Sequence, residues 1–246
     1  MEGIVKLAAV VKIKWIGISR NMSIVIAPIM TIGLVYMFRI LYGRNSGGEL
    51  SPAMISIILN IGLSMSICSD GFLMVGTTIA EEKEKHTLRV LMTSSVTGVQ
   101  YFIGSILLPF ILTVGVNLAV LFFSGIPMEQ VSLPIFLFVN MIAAFISCVI
   151  GMIIGICAKN QMNANMIASP FLMIFMMVPV LGGMSEGLHR LSGYLFTGVL
   201  TEMTEAFANG KEYTLQPLNV AVLFLELVIS VLVFLSLYKR NGYEGD

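Results

Sequence analysis

Residues 130–158 read QVSLPIFLFVNMIAAFISCVIGMIIGICA, twenty-nine positions without one charged side chain. A helix rises about 1.5 Å per residue, so about 20 residues cross the roughly 30 Å hydrocarbon core of a bilayer. Only helices and closed barrels satisfy their backbone in lipid, and a barrel strand alternates in polarity where this run is continuous. The stretch therefore reads as a membrane-spanning helix. Its neighbours repeat the pattern. Residues 21–38, 90–128 and 160–185 carry no charge, and 50–80 and 213–238 carry one acid each, Asp70 and Glu226. Six spans are expected, near 22–42, 54–80, 101–124, 134–157, 165–184 and 217–238.

Composition supports this reading. The chain of 246 residues is 57% hydrophobic and 11% charged, against roughly 25% charge in an average soluble domain. Fourteen basic and fourteen acidic side chains, net charge zero, could not coat a soluble protein of this size. They also give no basic excess for nucleic acid, and the chain is too apolar to be disordered. The expectation is an all-α, polytopic membrane protein that fills residues 1–246 and leaves no room for a soluble domain.

Charge asymmetry orients it. With both termini in the cytoplasm, the inner segments hold Lys6, Lys12, Lys14, Arg20, Lys83, Lys85, Arg89, Lys159, Lys239 and Arg240, and the outer loops hold Arg44, Arg190 and Lys211. Arg39 ends the first span and can snorkel. Cytoplasmic loops collect Lys and Arg, so this orientation is expected. Residues 1–20 do not read as a signal peptide, because three lysines interrupt any apolar core. Ile4, Leu7, Ala8, Val11, Trp15 and Ile18 share a helical face, with Lys6, Lys12 and Arg20 off it, as in a helix lying on the inner membrane surface. Between the last two spans, residues 185–216 are too apolar for a solvated linker and are expected to form short extracellular helices.

Several motifs are decoys or absences. No phosphate-binding loop G-x-x-x-x-G-K-[ST] occurs, so no ATP site is expected in this chain. Cys68, Cys148 and Cys157 lack metal-ligand spacing and read as apolar thiols, and no metal or catalytic residue is expected. Gly183-Met184-Ser185-Glu186-Gly187 matches G-x-S-x-G, with His189 nearby, which keeps an intramembrane serine hydrolase as an alternative. Eighteen methionines read as adaptable packing rather than copper ligands. Gly151-x-x-x-Gly155 permits close helix approach.

The most charged stretch is Glu81-Glu82-Lys83-Glu84-Lys85-His86-Thr87-Leu88-Arg89-Val90-Leu91-Met92-Thr93-Ser94-Ser95-Val96. It reads as a charged turn followed by a short amphipathic helix over 81–96, able to dock into a groove of a cytosolic partner. A solvated turn accounts for it equally well on physical grounds alone. The segment resembles the signature of the ABC-2 permeases, the membrane subunits of type V ABC transporters. Glu82 and Glu84 match the family's acidic pair. Thr87, Leu88, Leu91 and Thr93 fall in register, Val96 matches the ending, and Gly104 the glycine opening span 3. His86 for Gly, Arg89 for Glu, Ser95 for Pro and Ser105 for Lys depart from the pattern.

The resemblance implies a permease in a bacterial cytoplasmic membrane that pairs with a second permease, identical or not, and binds two ATPase subunits, which carry ATP and Mg. It implies that Glu82, Glu84, Thr87, Leu88 and Leu91 form the docking element, a coupling helix between spans 2 and 3. Similar compact permeases export antimicrobial peptides, phenol-soluble modulins, drugs or Na⁺. An amphipathic peptide is the cargo expected here, and an ATP-independent channel or hydrolase is the competing class.

Ionisable groups inside a membrane are costly to bury and mark candidate function. Asp70 and Glu226 each lie near mid-membrane by residue count. A helical wheel puts Ser56, Ser66, Asp70 and Thr77 on one face of span 2, and Asn219, Glu226 and Ser230 on one face of span 6. Ser66, Asp70, Thr77 and Glu226 are therefore candidates for lining a translocation cavity. Hydrogen bonding between helices is the other role open to both acids.

Overall fold

The computed structural model describes residues 2–45, 50–87 and 97–240, and these contain no strand. Nine principal helices follow in order: α1 (Glu2–Arg20), α2 (Met22–Asn45), α3 (Pro52–Glu84), α4 (Gly98–Phe123), α5 (Leu133–Cys157), α6 (Gln161–Val180), α7 (Glu186–Ser192), α8 (Phe196–Ala208) and α9 (Pro217–Arg240). Six of them, α2 to α6 and α9, are long and apolar enough to cross a membrane. The protein is a multi-pass, all-α membrane protein. The short helices α7 and α8 lie between the last two spans, as the apolar loop implied.

Local chemistry sets the helix starts. Ser51 accepts a hydrogen bond from the Met54 amide and Pro52 opens α3. Thr97 and Gln100 close a reciprocal capping box on α4. Asn160 caps α6 by accepting from the Asn163 amide at 2.8 Å. Each device satisfies amides that have no partner within the first turn.

The most enclosed span is α5. It packs against α3 through glycines: a Cβ on Gly151 would stand 2.7 Å from the Phe72 carbonyl oxygen, and one on Gly155 2.7 Å from the Ile79 Cβ. Between α5 and α4, the Asn117 amide donates to Asn140 at 2.7 Å. By contrast α2, α6 and α9 present rows of exposed apolar side chains, among them Ile29, Met166, Met173 and Phe224, as lipid-facing spans do.

Two features differ from the sequence reading. First, α3 does not end near residue 80. It continues to Glu84, a length of 33 residues or about 50 Å, so Glu81–Glu84 extend the span rather than begin a separate helix. The expected helix over 81–96 is interrupted at Lys85 and His86. His86 takes a left-handed backbone, φ +57°, which is the conformation glycine adopts freely and which accounts for a glycine at this point of the family pattern. Residues 88–96, with Leu88 and Leu91, lie outside the described residues. Second, the side of α1 that the protein encloses is Val10, Lys14 and Ile18, with a lysine among them, while Trp15, on the face expected at the membrane surface, is 58% exposed.

Within α3, Ile67–Leu73 form a π-helical turn. Ser147 of α5 donates to the Ile67 carbonyl at 2.6 Å, and Gly71 makes room for it, since a Cβ there would fall 2.0 Å from the Ser147 oxygen. A polar side chain inserted against a helix ladder is a recognised cause of such a distortion.

Candidate functional site

The charged end of α3 holds a junction of four consecutive side chains, each bound to a different neighbour. Glu81 accepts from Asn21, at the break between α1 and α2, at 3.2 Å, and pairs with Lys85 at 2.5 Å. Glu82 turns inward to Lys14 of α1, 2.6 Å away, and accepts a short hydrogen bond from the Tyr101 hydroxyl of α4. Lys83 donates to the Ile156 and Ala158 carbonyls at 2.7 and 2.6 Å, closing the C-terminus of α5. Glu84 accepts from the Gln161 amide at the N-terminus of α6, at 3.2 Å. A cation at a helix C-terminus and an anion at an N-terminus each complement the local dipole. The junction thus joins α3 to α1, α2, α4, α5 and α6.

Lys14 is its most enclosed member, 2% exposed. Its ammonium donates to the Tyr101 hydroxyl at 3.1 Å and lies 4.4 Å from that ring's centroid. Burial pushes the Lys14 pKa below its ordinary range, and the Glu82 carboxylate opposes that shift. Lys14 entered the sequence reading only as one of the inner basic residues. A signal was present: Val10, Lys14 and Ile18 are spaced by four, so the lysine interrupts an apolar stripe and calls for a buried anion. Which anion could not be read, because Glu82 lies 68 residues away.

Glu82 and Glu84 are therefore engaged within the chain. Thr87 folds back, its hydroxyl donating to the Glu82 carbonyl at 3.2 Å.

The residues expected to line a cavity separate into two groups. Asp70 is fully buried in the π turn, and its carboxylate accepts from Ser66 and Ser69, both at 3.1 Å. Thr77 bonds back to the Leu73 carbonyl. Ser69 and Thr77, with Gln161 and Asn165 of α6, line a cavity of about 160 Å³ near the junction. A larger one of about 520 Å³ lies at the opposite end of the same two spans, lined by Ser56, Asn60, Glu205 and Asn209 with the turn after α6. There Asn60 also accepts a short hydrogen bond from Thr204 of α8. Of the four expected residues only Thr77 lines either cavity, and Ser66, Asp70 and Glu226 line neither. Glu226 has another partner. It accepts from the Phe196 amide at 2.7 Å, capping α8. Its stripe-mate Asn219 donates to Glu202 and Tyr213, so this stripe of α9 secures α8 and the loop that follows it.

Ser185 and His189 border one shallow surface depression. The bond that joins them is the helical one from the His189 amide to the Ser185 carbonyl at 2.9 Å, and no hydrogen bond links their side chains among the described residues. The activated hydroxyl that a serine hydrolase needs is not assembled there. Cys68 and Cys148 are buried as expected, but Cys157 is exposed at the end of α5.

The family model for the ABC-2 type transporter matches residues 5–181, which takes in α1, the junction and the first five spans. The chain belongs to the ABC-2 type transporter family. It is a membrane permease of an ABC transporter, and such permease domains are membrane components rather than ATPases. No curated protein matches the chain. The ABC-2 match ends within the turn after α6, so the polar contacts from α9 to α8 and Tyr213 fall beyond it.

Proposed function

We propose that this permease is the membrane half of an ATP-driven exporter, coupled to its ATPases through the junction at Glu81–Glu84. The observation that carries the reading is that four adjacent side chains, immediately before segment 88–96, bind α1, α2, α4, α5 and α6. A force applied to that segment is distributed to the spans at once. Leu88 and Leu91 supply the apolar contacts to an ATPase. Glu82, Glu84 and Thr87 hold the segment in position. Two ATPase subunits carry the ATP and Mg, and a second permease completes the pair. The protein sits in a bacterial cytoplasmic membrane with both termini inside.

Replacing Leu88 and Leu91 together with Asp removes two apolar anchors, each contributing about 1.5–3 kcal/mol on burial. The expected result is loss of co-purifying ATPase from a variant that still inserts in the membrane. Stoichiometric co-purification would remove segment 88–96 from the docking role.

The cargo path in this reading follows the seam between α3 and α6, with the two cavities at its ends and Asp70, Ser66 and Thr77 between or beside them. Amphipathic peptides suit a seam with polar ends and apolar, methionine-rich walls. Asp70→Asn keeps the shape and can still accept from one of the two serines while removing the charge. It should assemble with the ATPase and retain basal ATP hydrolysis, while export and cargo-stimulated hydrolysis fall by at least about ten-fold, the equivalent of 1.4 kcal/mol. Export at the parent rate from a well-assembled variant would assign Asp70 to helix packing alone.

A further inference from the structure

A groove of about 520 Å³ runs between α1 and α4, lined by Leu7, Ala8, Val11, Trp15, Leu107 and Leu108, with Lys12 as its one polar side chain. Neither the ATPase junction nor the cargo path uses it. Three observations say what fills it. The walls are apolar, so ordered water finds no partners there. The groove continues into the flank of α4 on which Ile103, Leu107 and Ile111 are exposed, the surface that meets acyl chains. The charge balance of α1 is also local: Lys14 is neutralised by Glu82, whereas Lys12 has no ion pair or hydrogen bond among the described residues and stands beside the exposed Trp15. Lysine and tryptophan together at headgroup level are the usual flanks of a phospholipid.

We propose that this groove is a binding site for one anionic phospholipid, its acyl chain along Leu107 and Leu108 and its phosphate on Lys12. The charge of Lys12 sets the preference for an acidic headgroup, and the apolar walls supply the affinity common to all phospholipids. The site wedges lipid between α1 and α4, the two helices that Lys14 and Tyr101 join at the junction.

Trp15 is the chain's single tryptophan and lines the groove, so its emission reports occupancy. The full-length chain in a non-ionic detergent is titrated with brominated phosphatidylglycerol or brominated phosphatidylcholine. Saturable quenching is expected, with phosphatidylglycerol acting at lower concentration by about five-fold, as one lysine–phosphate contact allows. Lys12→Gln should bring phosphatidylglycerol to the level of phosphatidylcholine and leave the latter unchanged. Ala8→Phe, which fills the groove, should abolish the saturable phase for both lipids. Glycerol phosphate should not displace either. Equal quenching by the two lipids in the parent, an unaltered preference in Lys12→Gln, or displacement by glycerol phosphate would each overturn the assignment.

Discussion

Glu82→Gln should lower the stability of the permease by about 3 kcal/mol, the lower end of the cost of leaving one member of a buried ion pair alone. Gln keeps the size of the side chain and its hydrogen bond to Tyr101, so what is lost is the negative charge. Lys14, 2% exposed, would then hold an ammonium in an apolar setting with no anion. The expected readout is a lower unfolding temperature in detergent, together with proteolysis of α1. Removing both charges, in Lys14→Met with Glu82→Gln, should recover most of the loss, because apolar replacement of a buried pair is commonly near neutral. The pH dependence has a definite sign. Burial holds the Lys14 pKa below its ordinary value of 10.5, and loss of Glu82 lowers it further. Between the lowered pKa and 10.5 the unfolded chain binds more protons, so stability rises with pH across that window. The deficit of Glu82→Gln should therefore narrow as pH rises within that window, because the variant's lysine releases its proton first. A variant that unfolds with the parent would show that the pair does not secure α1.

Gly151→Leu should have the second large effect. The added side chain would begin 2.7 Å from the Phe72 carbonyl oxygen and 2.8 Å from its Cα, so the obstacle is backbone, which cannot rotate aside. Overpacking of this kind costs on the order of 3 kcal/mol or more, and the interface it opens carries the π turn as well. The expected outcome is loss of the monodisperse peak in size-exclusion chromatography. Gly115, with nothing within 4 Å of an added Cβ, is the matched control, and Gly115→Leu should elute as the parent does. Equal behaviour of the two variants would show that the glycine contact between α3 and α5 is dispensable.

The spans were legible because lipid imposes a rule that can be read locally: continuous apolar residues over a fixed length. Gly151 and Gly155 were legible for a similar reason, since small residues four apart leave a groove wherever they occur. The burial of Lys14 was not. The face with Trp15 reads as apolar and stays exposed, but a lysine occupies the enclosed stripe because its partners, Glu82 and Tyr101, come from distant parts of the chain. The end of α3 was misjudged for a related reason. Charge was read as the edge of the membrane and the edge of the helix together, whereas Glu81–Glu84 are good helix formers that continue the helix beyond its apolar part. Asp70 was placed on its stripe by a uniform wheel of 100° per residue, and its bond to Ser66 survives. Ser147 and Gly71, which create the π turn beside it, gave no periodic signal.

The π turn also bears on how the length of α3 can change. Elsewhere in this span, adding or removing one residue would swing everything beyond it by about 100° and carry all four junction side chains away from their partners. A π turn already accommodates a surplus residue within one loop of the helix. One residue taken out of Ile67–Leu73 would leave an ordinary α turn, with Gly62 still against Val35 and Val120 and Glu82 still directed at Lys14. The segment is therefore a vernier, the one stretch of this span where the distance between its two ends can be trimmed without turning either.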